Sequence, residues 1–387
     1  MARISGSKDS LRQARQRSGN GQAATSRRTP PRAGWLMSDP LTELLTAAHE
    51  ARVFSGAAWS VGTIQGPARR GILGTRAWGG EPVDDRTLWD LASLTKPIVG
   101  LAVMALLEQG RLSLTDPVAE HLPEYADTDK ADITIWHLLT HTSGVPGGQP
   151  LYRDHPDRAS LLEAVRRLPL RARPGVQVEY SSPGFIILGR VAEAASSLPL
   201  DELVRRTVTA PAGLSDTLFN PPADQRARAA ATEDCPWRGG MIQGTVHDEN
   251  ADVLGGVAAH AGLFTTLDDM EKLALTLLRN GRTTSEGHLL RPHTLAAMTR
   301  PATDHLNLRR ALAWQGNDPL GAGAGDLLSP AAYGHTGFTG TSLWVDPELG
   351  IYQVLLTNRV HPRRGSTAMM RTRPRFHNVA VLDLLGG

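Results

Sequence analysis

From residue 39 onward the apolar positions recur with helical spacing. Leu41, Leu44, Leu45 and Ala48 form one stripe, which predicts an amphipathic helix over Asp39–Arg52. Two β-prone runs follow, 57–64 and 71–78, parted by Gln65-Gly66-Pro67, the pattern of an antiparallel hairpin. Ile98, Val99, Leu101, Val103, Leu106 and Leu107 then make a run that is apolar nearly all round, so the helix there is buried and Gly110 stops it. Residues 112–125 read as loop with a short helix, and from Ile133 to Pro199 the period is mostly helical, clearest over 160–168 and 184–195. Helices continue to about Met298, interrupted by a Gly-rich, irregular stretch over 219–263 that is long enough to imply a role. Thr266 and Asp269 form a capping-box pattern for a helix over 267–279. Strands return at 333–337, at 342–345 with a turn at Asp346-Pro347, and at 351–358, before a last helix over about 376–385.

Strands at both ends with helices between them predict an α+β fold, an α/β sandwich. One antiparallel sheet is built from both chain ends and flanked by helices, with an all-helical lobe inserted. On this reading the folded domain is 37–387, with a sheet lobe at about 37–90 and 330–387 and a helical lobe at about 91–329. The junction of sheet and lobe forms a cleft, and Ser93 begins the first helix after the N-terminal strands, at that junction.

Charge separates the first 36 residues from the rest. They hold eight Lys or Arg against the single acid Asp9, while the whole chain carries only +2, so the body is mildly acidic and gives no footprint for nucleic acid. The segment is rich in Ser, Gly, Arg and Pro, which predicts a disordered basic tail over 1–36. Arg27-Arg28 lack a following apolar region, the composition shares features with a transit peptide, and Met37 offers a plainer alternative as an internal start. The longest uncharged apolar run, Pro97–Leu107, is too short to span a bilayer. The single cysteine, Cys235, excludes an intramolecular disulfide and fits a reducing compartment, so the expected location is cytoplasmic. Oligomeric state has no signature in the chain.

Ser93 and Lys96 lie one helical turn apart in Leu91-Ala-Ser-Leu-Thr-Lys-Pro-Ile-Val-Gly-Leu101, a hydroxyl with an amine on the same face. The spacing alone is weak, since Ser5 and Lys8 repeat it in the tail, and a capped helix with a surface lysine fits it equally. Tyr180, in Glu179-Tyr-Ser-Ser-Pro-Gly184 just before a helix, is a second candidate base or a packed ring with a solvated hydroxyl. His335-Thr336-Gly337 lies on a β-prone segment before Phe338, where glycine marks close approach by a ligand or another backbone. His137 and His141 have zinc-protease spacing, but Leu138 stands where that chemistry needs glutamate. His247, Asp248 and His260 are irregularly spaced, Gly321–Gly325 breaks the dinucleotide fingerprint at Asp326, and no Gly-x-Ser-x-Gly elbow occurs. No metal or cofactor is expected.

The ordered set Ser93-x-x-Lys96, Tyr180-x-Ser182 and His335-Thr336-Gly337, with His137-Leu-Leu-Thr-His-Thr-Ser-Gly144 after the first, resembles the penicillin-recognising serine hydrolases. These comprise class C β-lactamases, D-alanyl-D-alanine carboxypeptidases, D-aminopeptidases and related esterases. The resemblance covers about residues 40 to 385 and implies a β-lactamase/transpeptidase-like fold. It implies Ser93 as acylated nucleophile, Lys96 as its base or proton relay, and Tyr180 as partner base. The backbone N–H groups of Ser93 and Phe338 would form the oxyanion hole, with Ser182, His335, Thr336, Gly337 and Phe338 binding substrate. Ser182 replaces the asparagine and His335 the lysine of the β-lactamase pattern, which points to the esterase and D-aminopeptidase branch. The implied partner is a small ester, amide or D-amino-acid-containing molecule; a weak β-lactamase or a non-turnover penicillin-binding sensor stays open. The stretch 219–263 is expected to line the cleft rim, with Trp237 and His247 exposed.

Overall fold

The computed structural model describes residues 39–386 except 319, 320 and 322. The basic tail over 1–36 and Met37 lie outside the described residues. The first helix, α1 (Pro40–Glu50), starts where Asp39 accepts the Leu41 N–H at 3.1 Å with proline at the first helical position, and it buries Leu41, Leu45 and Ala48 as its stripe requires.

Six antiparallel strands form the main sheet: β1 (Gly56–Thr63), β2 (Gly66–Gly74), β3 (Gln315–Gly316), β4 (Tyr333–Thr336), β5 (Ser342–Asp346) and β6 (Ile351–Thr357). Their order is β2-β1-β6-β5-β4-β3, so the N-terminal hairpin lies directly beside the last strand, Ala57 opposite Thr357. Both faces are covered, which is why β1 and β6 are apolar almost throughout. Ala57, Trp59 and Val61 alternate onto one face with Leu355, packing on α1 and on the last helix, α5 (Met369–Leu385). Ala58, Val354 and Leu356 point the other way into the main core, shared with α4 (Leu267–Leu278). That core also takes in α2 (Thr95–Glu108), buried from Thr95 through Leu106, and α3 (Ser182–Ser196).

Between the two ends of the sheet the chain is mainly helical but also carries small sheets. Trp89–Asp90, Leu263–Thr265 and Leu218–Phe219 form a three-stranded one, and Asp234–Cys235 pairs with Gly240–Met241. Strands of two or three residues are too short for a period of two to register in sequence, and β3 escapes for the same reason. The hairpin sits earlier than its composition predicts, 56–74 rather than 57–78, because Gly74, at φ +77°, turns the chain out before Trp78. The last helix starts seven residues before Phe376. α5 carries Pro374 in its interior, giving up one backbone bond while Met369 and Phe376 are buried.

Asn358, just past β6, ties the two chain ends to the lobe. Its side-chain oxygen accepts the N–H groups of Ser55 and Gly56 at 3.2 and 3.0 Å, and its amide donates to the carbonyls of Arg76 and Ala231 at 3.1 and 3.0 Å. Truncation strands buried donors and acceptors, so Asn358→Ala is expected to cost about 2–4 kcal/mol, read as a lower urea midpoint. A change below about 0.5 kcal/mol would show that these bonds are dispensable.

Candidate active site

The turn that carries Ser93 is held on every side. The Leu91 N–H donates to the Leu263 carbonyl at 2.9 Å, which sets the edge of the three-stranded sheet against the turn. Ala92 follows at φ +47°, a left-handed conformation costly for a residue with a Cβ. Its N–H is fixed by the buried Asp90 carboxylate at 2.7 Å. Residues 92–94 make one 3-10 turn that runs straight into α2, so Ser93 and Lys96 face each other across the join.

Lys96 is fully buried, and its Nζ lies 3.2 Å from Ser93 Oγ and 3.0 Å from the His260 carbonyl oxygen. The rings of Tyr180 and Phe185 lie 4.7 and 5.8 Å from the same nitrogen. Its hydrogen-bond contacts are thus a hydroxyl and a carbonyl, with π faces on other sides, while the Asp248 carboxylate feels its charge without a hydrogen bond between these two described residues. Tyr180 sits on the chain just before α3, its hydroxyl buried with no hydrogen-bond partner among the described residues. His141 holds it there: the His141 ring packs at a tilt against the Tyr180 ring, centroids 4.5 Å apart, and His141 Nδ1 accepts the Ser181 N–H at 3.0 Å. His137 Nδ1 accepts the Thr134 N–H at 3.1 Å in a helix cap, so the two histidines with zinc-protease spacing serve different local tasks.

Two cavities meet at Ser93 and Phe338, which line both. The first, about 280 Å³, is lined by Tyr180, His335, Thr336 and Gly337 together with three arginines, Arg310, Arg359 and Arg373. The second, about 380 Å³, takes Ser182, His247, Asp248 and Tyr152. The candidate residues are thus brought together around one hydroxyl, with Ser182 on the opposite side from His335.

His335 Nδ1–H donates to the Thr336 carbonyl at 2.8 Å, leaving Nε2 as a buried lone pair without a partner. Burial first, then the charges of Arg310 and Lys96, hold its pKa well below the usual histidine value, so the ring is neutral. Positive charge comes instead from the arginines. No carboxylate is among the described residues lining that cavity, and the buried Arg310 Nε has no hydrogen-bond partner among the described residues, though the Asp318 charge acts on this guanidinium. Arg359 donates to the Phe338 carbonyl at 2.7 Å and Arg373 to the Gly337 carbonyl at 3.2 Å, which fixes the segment after β4.

The stretch 219–263 does reach the site, though not as expected throughout. Trp237 is exposed and packs edge-on against Tyr152, a wall of the second cavity. His247 is buried, stacked on Phe338 with centroids 5.6 Å apart, because Asp90 accepts its backbone N–H at 2.6 Å and Arg238 donates to its carbonyl at 3.0 Å. Burial, then Arg364, brings its pKa down to about 4. His260 Nε2 pairs with Asp248 Oδ1 at 2.9 Å; burial raises the Asp248 pKa, but His260, the Ala251 N–H and the Lys96 charge together outweigh it and keep this carboxylate below its usual range. Glu233, Cys235 and Glu249 are close enough to share a cation, but the Arg364 guanidinium already pairs with both carboxylates.

The β-lactamase family model matches residues 41–373, which takes in every side chain just described. The chain belongs to the β-lactamase family. A protein named "putative D-alanyl-D-alanine carboxypeptidase" from Escherichia coli (strain K12) is 33% identical over 306 residues, 71% of this chain and 70% of that relative. The protein of the same name from Salmonella schwarzengrund (strain CVM19633) matches to the same extent. Among solved structures, EstCE1, a hydrolase with promiscuous acyltransferase activity, superposes with a TM-score of 0.71 at 21% identity, covering 88% of this chain and 97% of its own. A penicillin-binding protein homologue from Caulobacter crescentus gives 0.70 at 18%, covering 89% and 96%. A family VIII carboxylesterase gives 0.70 at 21%, covering 88% and 96%. The fold is the β-lactamase/transpeptidase one, and this β-lactamase-family chain is a serine hydrolase.

Gly337 lies where the segment after β4 crosses the Ser93 turn, and a Cβ there would overlap Thr341 Oγ1 and the Leu91 carbonyl. Gly337→Ala is expected to lower kcat at least about tenfold in a folded chain, checked by steady-state kinetics alongside circular dichroism. Stability should also depend on pH. His141, His247, His335 and His377 are buried with folded pKa values below the unfolded one. As pH falls below about 6.5, the unfolded chain takes up protons that the folded chain refuses, so stability falls by on the order of 1 kcal/mol per histidine per pH unit. Burial of Asp90 acts in the opposite sense, since its folded pKa is raised. Urea midpoints between pH 7 and 4.5 check the sum, and a flat profile would contradict neutral burial.

Proposed function

We propose that this enzyme cleaves a small amide or ester through an acyl-serine on Ser93, with Lys96 as activating base and Tyr180 as partner base. The observation that carries the reading is the buried Lys96 amine between Ser93 Oγ and the His260 carbonyl, a base placed on a hydroxyl and neutralised by no salt bridge. The Ser93 N–H at the head of α2 and the Phe338 N–H are the proposed oxyanion donors. Thr336, Gly337 and His335 form the substrate-binding edge, and Ser182 contacts the other half of the substrate. A reducing, cytoplasmic setting, in line with the lone buried Cys235, is part of this proposal.

The preferred substrate carries a carboxylate on the side of the first cavity, as in a D-alanyl peptide. His335 supplies no charge there, but Arg310, Arg359 and Arg373 supply three, and the unpartnered Arg310 Nε is a donor in search of an acceptor. This favours the carboxypeptidase-like reading over a simple esterase. The neutral His335 keeps the esterase reading as the second one.

The test compares p-nitrophenyl acetate, N-acetyl-D-alanyl-D-alanine and nitrocefin, with mass spectrometry for an acyl adduct. Ser93→Ala is expected to abolish turnover by at least about a thousandfold; unchanged hydrolysis would falsify the mechanism. Arg310→Gln is expected to raise KM for the dipeptide about tenfold while sparing the acetate ester, and His335→Lys to shift preference towards carboxylate-bearing substrates. An adduct without turnover would favour the sensor reading, and nitrocefin turnover the β-lactamase one.

A further inference from the structure

Asp90 is the most deeply placed acid beside the nucleophile, 3% exposed, and no proton-transfer role suits it. Both carboxylate oxygens are taken: Oδ1 by the Ala92 N–H at 2.7 Å, Oδ2 by the His247 N–H at 2.6 Å. Its carbonyl accepts Thr339 Oγ1 at 2.7 Å, and the next carbonyl, of Leu91, accepts Thr341 Oγ1 at 3.1 Å. Three separate pieces of chain therefore end on this dipeptide: the turn bearing Ser93, the wall bearing His247, and the segment bearing Phe338.

Burial opposes ionising this carboxyl and raises its pKa to about 6, against the two N–H groups that favour the charged form. A group whose folded pKa is raised contributes stability only at low pH and loses it as pH climbs through that value, so near neutrality the charge is a net burden on folding. Asp248 and Arg238 are the charged side chains that act on it, with opposite effects. An asparagine would have the same shape without the burden. However, its amide nitrogen is a donor, so it could accept from only one of the two N–H groups. A carboxylate is the side chain of that size that accepts both.

The conformation it holds is the reason to need it. Ala92, at φ +47°, precedes the nucleophile directly, and a residue with a Cβ leaves the left-handed region unless something over-determines it. We propose that Asp90 is a positioning residue that holds Ala92 left-handed, so that the Ser93 hydroxyl and N–H face the cavity, and that pins the His247 wall to the same point. The inference rests on Ser93 being the acylated residue. It adds a determinant of acylation rate that touches neither substrate nor the reacting atoms.

The test uses the full chain, with single-turnover acylation by p-nitrophenyl acetate, kcat and KM for four forms: wild type, Asp90→Asn, Ala92→Gly and the double variant. Asp90→Asn is expected to slow acylation about 10- to 100-fold with KM changed less than about threefold, as for loss of a charged hydrogen bond felt at the transition state. In the Ala92→Gly background the same substitution should cost at least about fivefold less, because glycine adopts φ +47° without help. Equal loss in both backgrounds overturns the proposal, since a general loss of scaffold would not be rescued by a glycine at residue 92. Unchanged acylation in Asp90→Asn also overturns it. Should that variant not fold, Ala92→Val carries the test with Asp90 in place: about tenfold slower acylation at similar KM supports the proposal, and no change overturns it. Absence of an acyl adduct on wild-type Ser93 would overturn the serine-hydrolase reading itself, whereas an adduct with no effect of Asp90→Asn would overturn this inference alone.

Discussion

An amine buried away from water needs polar partners, and the architecture around Lys96 follows from that constraint. Its two polar contacts come from different parts of the chain: Ser93 from the same helix end, and the His260 carbonyl from a loop 164 residues further on. The three-stranded sheet and the Leu91–Leu263 bond bring that loop in. Tyr180 and Phe185 close the remaining sides from α3 with π faces instead of acids.

Around that amine the polar groups are arranged unevenly. On one side lie arginines with no acid among the described lining residues; on the other, acids and bases are paired off, Asp248 with His260 and Arg364 with Glu233 and Glu249. The Tyr180 hydroxyl and His335 Nε2 are buried without partners, a state that costs free energy in a resting protein and is tolerated where a ligand completes the bonds. The two cavities therefore differ in electrostatic character, with Phe338 lining both.

What could be read from sequence was what is local. Ser93 and Lys96 share a helix face three residues apart, and the apolar run behind them announces burial. Tyr180 and His335 have no such periodic signal; their local settings made them candidates beside plainer readings, and the ordered motif set gave them roles. The His260 contact to Lys96 is made by a backbone carbonyl, which no residue type encodes. Arg310 is one arginine in a pair, indistinguishable from its solvent-facing neighbour until β3 and β4 place it. Asp90 did leave a trace, an acid within the otherwise apolar run from Leu88 to Ala92, the kind of local inconsistency that marks a working position. The exposure expected for His247 failed because polar loop composition says nothing about a stacking partner such as Phe338, supplied from the far end of the chain.

The sheet joins β1 to β6 at its centre, and the Ser55–Asn358 bond beside them spans 303 residues. During synthesis the N-terminal hairpin therefore waits, its inner edge unpaired, until nearly the whole chain has left the ribosome. The Ser93 turn waits with it, since Thr339 and Thr341, which grip Asp90 and Leu91, are also made late. Ser93, Lys96 and Tyr180 are all translated long before the frame that aligns them. Their cluster therefore takes shape only once the last strand closes the sheet.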